Sequence, residues 1–400
     1  PAAIAGRIPG AALLPVPEEF FPHVPVSPTP LWQPERLRAK LGLSRLYLKD
    51  DTCLPTGSLK DRASLLVAGF ARQHGIGRVV VASTGNAASS MAGIGAAAGL
   101  VVTIFVPSSA PRAKLVQCLQ YGATVRLVDG TYDDAYAASL AFVRAHGGLS
   151  RNTGYNPLTT EGKKTVALEL AAQFAEAESA TAAAPDHVFV PTGDGVVLGG
   201  VYKGFEDLLA LGLISSMPVI HAVQATGSNA ISRALRAPAS RDGFASPPAA
   251  GRTAGSTAGR TAGRTAGSTL ADSIAVRVPA NGYRAVRALR THGGRCVEVE
   301  DEAILAAQHE LARMTGLFAE PAAAASYAGL LASLGEIDRD ASVVLLVTGT
   351  GLKDVDTAAR SVELPAAEPL AAAEPSTDGG AVGRDDRSDV ARGRRIGRRR

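Results

Sequence analysis

The sequence predicts an α/β protein of two domains, in which parallel sheets are flanked by helices. Three observations predict it. Continuous apolar runs such as Val79-Val80-Val81-Ala82 and Val343 to Val347 alternate with helix-length stretches, which is the pattern of a parallel sheet covered on both faces. Several of these runs end in turns of glycine and hydroxyl residues: Ser83-Thr84-Gly85-Asn86-Ala87, Pro191-Thr192-Gly193-Asp194-Gly195 and Thr348-Gly349-Thr350-Gly351. The length of 400 residues exceeds one small domain and suits two.

Taken in order, residues 1–27 are rich in Pro and Ala without a clear period and read as an arm that packs on the surface or on a partner. Thr29-Pro30-Leu31 and Leu46-Tyr47-Leu48-Lys49 form short strands. The turn Pro55 to Arg62 holds Lys60, with a helix from Ala63 to Arg72 behind it. Val79 to Ala82, Val101 to Val106 and Thr124 to Val128 are strands. The helices between and after them are Asn86 to Gly99, one opened by Pro107 and Pro111 and closed at Tyr121-Gly122, and Tyr132 to His146. Asn152 to Glu161 reads as an irregular polar connection, followed by a helix from Gly162 into the Ala-rich 171–184 stretch. His187 to Val190, Val219 to Val223, Ile274 to Val278 and Val343 to Val347 read as strands. A helix runs through Leu211, a second is capped by Asp301 and ends at Thr315, and a third starts at Glu320-Pro321.

Residues 28–70 with 163–363 form the expected large domain, and 71–162 the small α/β domain. Within 237–269, the stretch 251–269 repeats Gly-(Arg/Ser)-Thr-Ala, a period of four that fits neither helix nor strand, so a disordered insertion is expected. Residues 364–400 are expected to be a disordered, Arg-rich tail. Residues 384–400 carry eight Arg and three Asp, or +5. The chain's +4 less that +5 leaves −1, so the folded part offers no basic surface for nucleic acid. No run is apolar enough to span a bilayer and no secretory leader opens the chain, which suggests the cytoplasm. Cys53, Cys118 and Cys296 have neither metal-ligand spacing nor a disulfide pattern, so no metal is expected.

Lys60 is flanked by Gly57 and Ser58 and followed by Asp61-Arg62. Most lysines at a helix start are solvated. One held where its ammonium is poorly solvated loses pKa and becomes an amine able to capture an aldehyde, of which pyridoxal phosphate is the common cofactor. Gly193-Asp194-Gly195 with Gly199-Gly200 follows a strand and opens a helix, so backbone N–H groups can close on a phosphate, with the Asp194 side chain pointing away. A plain tight turn or a dinucleotide site has similar glycines, but Gly-x-Gly-x-x-x-Gly departs from the dinucleotide spacing. Ser83 and Thr84 suit a substrate carboxylate, although an ordinary helix cap has the same residues. Asn86 is a donor for a phenolate oxygen, and Thr348 can meet a pyridine nitrogen.

These motifs resemble the fold-type II pyridoxal-phosphate enzymes, the tryptophan synthase β family. The resemblance covers roughly residues 28 to 360. It rests on Thr56-Gly57-Ser58-Leu59-Lys60-Asp61-Arg62, Ser83 to Ala88, Asn156-Pro157 with Glu161-Gly162-Lys163-Lys164-Thr165, Gly193 to Gly195 continuing to Phe205, Glu320-Pro321-Ala322 and Thr348 to Asp354. The closing Gly-Leu-Lys-Asp is most like the threonine synthases. The resemblance implies that Lys60 attaches the cofactor and moves protons. It implies that Asn86 bonds the ring oxygen, that Gly193, Asp194, Gly195, Val196 and Val197 cradle the phosphate, and that Thr348 faces the ring nitrogen.

By the same resemblance, Ser83, Thr84, Asn156 and Lys163 would bind substrate, O-phospho-L-homoserine, and the enzyme would be a homodimer. An arginine usually follows Asn-Pro in these enzymes, but Leu158-Thr159-Thr160 stands here. Lys163, Lys164, Arg151, Lys114 or Lys353 would have to replace it. A threonine or serine dehydratase and a β-replacement enzyme of the same fold are the alternative activities, and a silent binding protein is the non-enzymatic one.

Overall fold

A computed structural model describes residues 9–110, 112–177, 184–237 and 268–362, with the side chains of 112–114 left out. In chain order the elements begin β1 (Leu31–Trp32), α1 (Glu35–Leu41), β2 (Leu46–Asp50), α2 (Lys60–Gln73), β3 (Arg78–Ala82), α3 (Asn86–Ala97), β4 (Val101–Pro107) and α4 (Arg112–Gln120). They continue with β5 (Thr124–Val128), α5 (Tyr132–His146), β6 (Leu149–Ser150), α6 (Leu158–Lys163), α7 (Thr165–Ala177), β7 (His187–Pro191), α8 (Val196–Ala210), β8 (Val219–Ala225) and α9 (Ala230–Arg236). The remainder is α10 (Gly282–Thr291), β9 (Arg295–Val299), α11 (Asp301–Thr315), α12 (Pro321–Ser333), β10 (Val343–Val347) and α13 (Val355–Ala358).

Two sheets result. One has the order β1-β2-β10-β7-β8-β9, antiparallel only at β1, and the other is β5-β4-β3-β6, parallel throughout. The central strands are fully buried: β2, β10 and most of β7 and β3 expose almost nothing, as valine- and leucine-rich strands must when helices cover both faces. Val347 pairs with Asp50, which brings the carboxyl ends of β10 and β2 to the same edge, where the turns after them gather. In open α/β sheets, ligands bind at this edge.

The arm at 9–27 packs on its own chain. Val16, Phe21 and Val26 are buried in the core beside Leu65, Leu66 and Ala68 of α2. Gly69 leaves room for the Phe21 ring, since a Cβ there would stand 2.4 Å from it.

Four expectations change. Residues 158–163, read as the end of a polar connection and the start of a longer helix, form the short helix α6. Residues 274–278 are not a strand. The Ser228 hydroxyl bonds the backbone of Ile274 and Val276 and so takes the groups a strand neighbour would use. Asp301 is not the cap of α11. Glu300 is, and the Asp301 carboxylate accepts from Thr269 and from Leu270 N–H. Ala237, Ser268 and Thr269, expected within a disordered insertion, are placed: Ala237 caps α9, Ser268 bonds Gly227 and Thr269 is held by Asp301. The repeat at 251–267 and the tail at 364–400 lie outside the described residues.

Candidate active site

The lysine turn is folded by its own side chains. Thr56 donates to the Asp61 carboxylate through its N–H at 2.8 Å and its hydroxyl at 2.5 Å, which fixes the turn on the first residues of α2. Arg62, fully buried, bonds Asp51 and Glu169, while Lys49 bonds Glu169 at 2.7 Å. This buried ion cluster anchors α2 two residues beyond Lys60. Leu59 N–H donates to Thr348 O at 2.9 Å, so the lysine turn and the turn after β10 are bonded to each other.

Lys60 lines a cavity with Thr192, Gly193, Asp194, Gly195, Val197, Ser273, Ile274, Val276, Ala322 and Thr348. Burial lowers the pKa of Lys60 from the ordinary lysine value. The carboxylates of Asp194 and Glu320 oppose the shift, and Arg151 adds to it. The amine and the helix-opening glycines predicted from sequence therefore share one cleft with Thr348.

The glycines are structurally required. Gly195 has φ +78° as the cap of α8, and a Cβ at Gly193 would stand 2.8 Å from Ile274 Cα. Val196 is buried behind the turn. Asp194 departs from expectation. Its carboxylate folds back to accept the Val196 N–H at 2.9 Å and interacts with Lys60, Arg151 and Lys163, instead of pointing away from the site. An aspartate before a helix N-terminus finds free amide donors there, which is what turns it inward.

The remaining predicted residues divide. The Asn86 amide donates to both oxygens of Glu320, at 3.0 and 2.9 Å, and to Ser273 Oγ at 3.2 Å, so it meets the cavity wall through Ser273. Ser83 and Thr84, in the half-buried turn between β3 and α3, do not line it; Ser83 Oγ accepts from Gly85 N–H. Asn156 is turned to the backbone. Its side chain donates to Ser150 O and accepts from Leu158 N–H, so it shapes the turn into α6 and lies outside the cavity. Lys163 is fully buried, and its Nζ has no hydrogen-bond partner among the described residues.

Of the other cations proposed to replace the missing arginine, Lys164 pairs with Asp207 and Glu161, and Lys353 bonds Ser89 and Gln117. The Lys114 side chain lies outside the described residues. Arg151 is fully buried beside Lys60, reaching its carbonyl oxygen at 3.5 Å.

A family model for pyridoxal-phosphate dependent enzymes matches residues 24–349. The chain belongs to the pyridoxal-phosphate dependent enzyme family. It is 35% identical over 361 residues to a threonine synthase of Methanosarcina acetivorans, covering 89% of this chain and 82% of that one. The threonine synthase of Methanocaldococcus jannaschii is 34% identical over 340 residues, covering 84% and 78%. That of Mycobacterium tuberculosis is 32% identical over 345 residues, covering 86% of each. Among solved structures, maize serine racemase superposes with a TM-score of 0.66 at 21% identity, covering 85% of this chain and 93% of that one. A threonine deaminase from T.th. superposes with a TM-score of 0.64 at 24% identity, covering 80% and 92%. These two show the fold.

The family's cofactor is pyridoxal 5'-phosphate, and the cavity fits it. An amine of lowered pKa, a glycine turn with no room for side chains, and an unpartnered buried lysine nearby suit an aldehyde bearing a phosphate. Glu320 and Ser273 were missed by sequence reasoning. Glu320-Pro321 signals a helix start whatever direction the carboxylate takes, and Ser273 follows a long insertion with no motif around it.

Proposed function

We propose that this protein is a threonine synthase, converting O-phospho-L-homoserine and water to L-threonine and phosphate. The observation that carries the proposal is its 32–35% identity to curated threonine synthases over most of both lengths. The lysine cavity at the carboxyl edge of the larger sheet supports it.

Bound pyridoxal phosphate supplies an electron sink that no amino-acid side chain provides. Lys60 would be its attachment point. When not attached to it, the amine would take and return protons, a role that the lowering of its pKa by burial favours. Gly193, Gly195 and Val197 would present main-chain N–H groups at the start of α8, whose dipole favours an anion, while the Val196 N–H is held by Asp194. Asp194 opposes Lys60's loss of its proton and keeps the turn closed. Thr348, which lines the same cavity, would offer a neutral hydroxyl to the ring nitrogen. Glu320 and Asn86 hold each other beside Ser273 of the cavity wall, and Asn86 would turn its amide to a ring oxygen. Water is restricted by the apolar wall of Val197, Ile274, Val276 and Ala322.

The same proposal reads the two sheets as the centres of two domains, 28–70 with 163–363 and 71–162, in a cytoplasmic homodimer. The deciding experiment compares phosphate release from O-phosphohomoserine with 2-oxobutanoate formation from threonine. Phosphate release supports the synthase. Oxoacid from threonine without phosphate release makes the protein a dehydratase of this fold.

A further inference from the structure

Three buried cations, Lys60, Arg151 and Lys163, share one carboxylate, Asp194. Lys163 emerges from α6 between α2 and α8. A Cβ at Gly200 of α8 would stand 2.7 Å from Lys163 Cβ, and one at Gly162 would stand 2.4 Å from Arg62 O of α2. Arg151 donates to Ser64 Oγ at 3.3 Å, to Thr153 Oγ1 at 2.6 Å and to Lys60 O at 3.5 Å, all neutral oxygens. Lys163 Nζ donates to nothing among the described residues. Asp194 is the acid that Lys60, Arg151 and Lys163 share, and its carboxylate is already used by Val196 N–H.

Burying cations without anions is expensive. Lys60 also meets Glu320 and Arg151 also meets Asp61, whereas Lys163 has only the shared Asp194, so Lys163 lacks an anion of its own, which a phosphate would supply. We propose that Lys163 and Arg151 form a phosphate-binding pair, taking the place of the arginine missing after Asn156-Pro157. The two side chains act differently: Arg151 is held in place by its neutral partners, whereas Lys163 is free to reach its anion. The depressed pKa of Lys163, caused first by burial and then offset by Asp194, agrees with a lysine waiting for a counter-charge.

The phosphate has two sources, the cofactor and the substrate, and the second rests on the function proposed above. The test uses the full chain and its Lys163→Gln and Lys163→Arg variants. Inorganic phosphate is titrated into the holoenzyme. Pyridoxal phosphate and phosphate-free pyridoxal are titrated into chain stripped of cofactor. Lys163→Gln is expected to weaken at least one phosphate probe by about tenfold or more, with pyridoxal unchanged and Lys163→Arg largely restoring affinity. A loss confined to inorganic phosphate assigns the pair to the substrate, and a loss confined to pyridoxal phosphate assigns it to the cofactor. Unchanged affinity for both probes overturns the pair. Should Lys163→Gln fail to fold, Arg151→Gln is judged by the same criteria. O-Phosphohomoserine turnover by the unmodified enzyme is measured in parallel. A weakened probe without that turnover keeps the pair and rejects the synthase; turnover with unchanged probe affinities does the reverse.

Discussion

The Asn86 amide nitrogen lies 3.0 and 2.9 Å from the two carboxylate oxygens of Glu320, across 234 residues of sequence. Both side chains are buried. Burial raises the Glu320 pKa, and the Asn86 hydrogen bond is the first influence opposing it. The bond joins the start of α3 in the smaller sheet's layer to the start of α12 beneath the larger sheet.

Removing one partner leaves the other buried without its bond. Asn86→Ala is expected to lower stability by about 1–3 kcal/mol in urea unfolding. The double variant with Glu320→Ala is expected to cost less than the sum of the singles. Strict additivity would show that the contact carries no coupling.

Arg62 holds two carboxylates in a fully buried cluster. Arg62→Met is expected to destabilise the protein by about 3–5 kcal/mol, because Asp51 and Glu169 are left without their guanidinium. Burial alone would raise the Glu169 pKa, but Arg62 and Lys49 outweigh it and hold it down to about 2. A depressed carboxylate contributes its stability above its unfolded pKa and loses it as pH falls through the folded one. Stability should therefore fall between about pH 4.5 and 2. In Glu169→Gln that part of the acid dependence disappears, as measured by urea unfolding across this range.

His221 has a different acid window. Its ring stacks on Phe189 with centroids 4.1 Å apart, and His187 Nδ1 lies 3.0 Å from its Nε2. Burial, then His187 and Arg295, push its pKa down to about 3. The unfolded chain binds this proton first, so stability should drop as pH falls from about 6.5 towards 3. Replacing His221 by Gln is expected to flatten that slope. An unchanged slope would show that His221 titrates normally in the fold.

Gly193 has no space for a side chain, and the atom it would strike belongs to the main chain at Ile274. Gly193→Ala must shift the cavity wall. Cofactor affinity is expected to fall about tenfold or more, read by absorbance titration, while the far-UV circular dichroism stays as in the parent.

The central strands were legible because a strand buried on both faces must be apolar along its whole length. β9 was not: Arg295 is exposed and Glu298 sits beside Val297 on an outer strand, so no continuous apolar run marks it. Residues 274–278 misled for the opposite reason. Ile274, Val276 and Val278 are strand-forming types, but Ile274 and Val276 wall a cavity. At the site, Lys60, the glycines and Thr348 were visible as turns at strand ends. Glu320 and the inward turn of Asp194 depend on contacts between segments far apart in sequence, which no local pattern encodes. Asn156 could not be assigned from sequence, because an asparagine that closes a turn and one that binds a ligand have the same neighbours in sequence.

The claim on which the rest depends is that Lys60 carries the cofactor. Borohydride reduction of the purified holoenzyme, followed by protease digestion and peptide mass spectrometry, tests it directly. The pyridoxyl group is expected on the peptide containing Lys60 and on no other. A label on Lys163 or Lys353, or no label on a protein that retains its visible absorbance band, would contradict it.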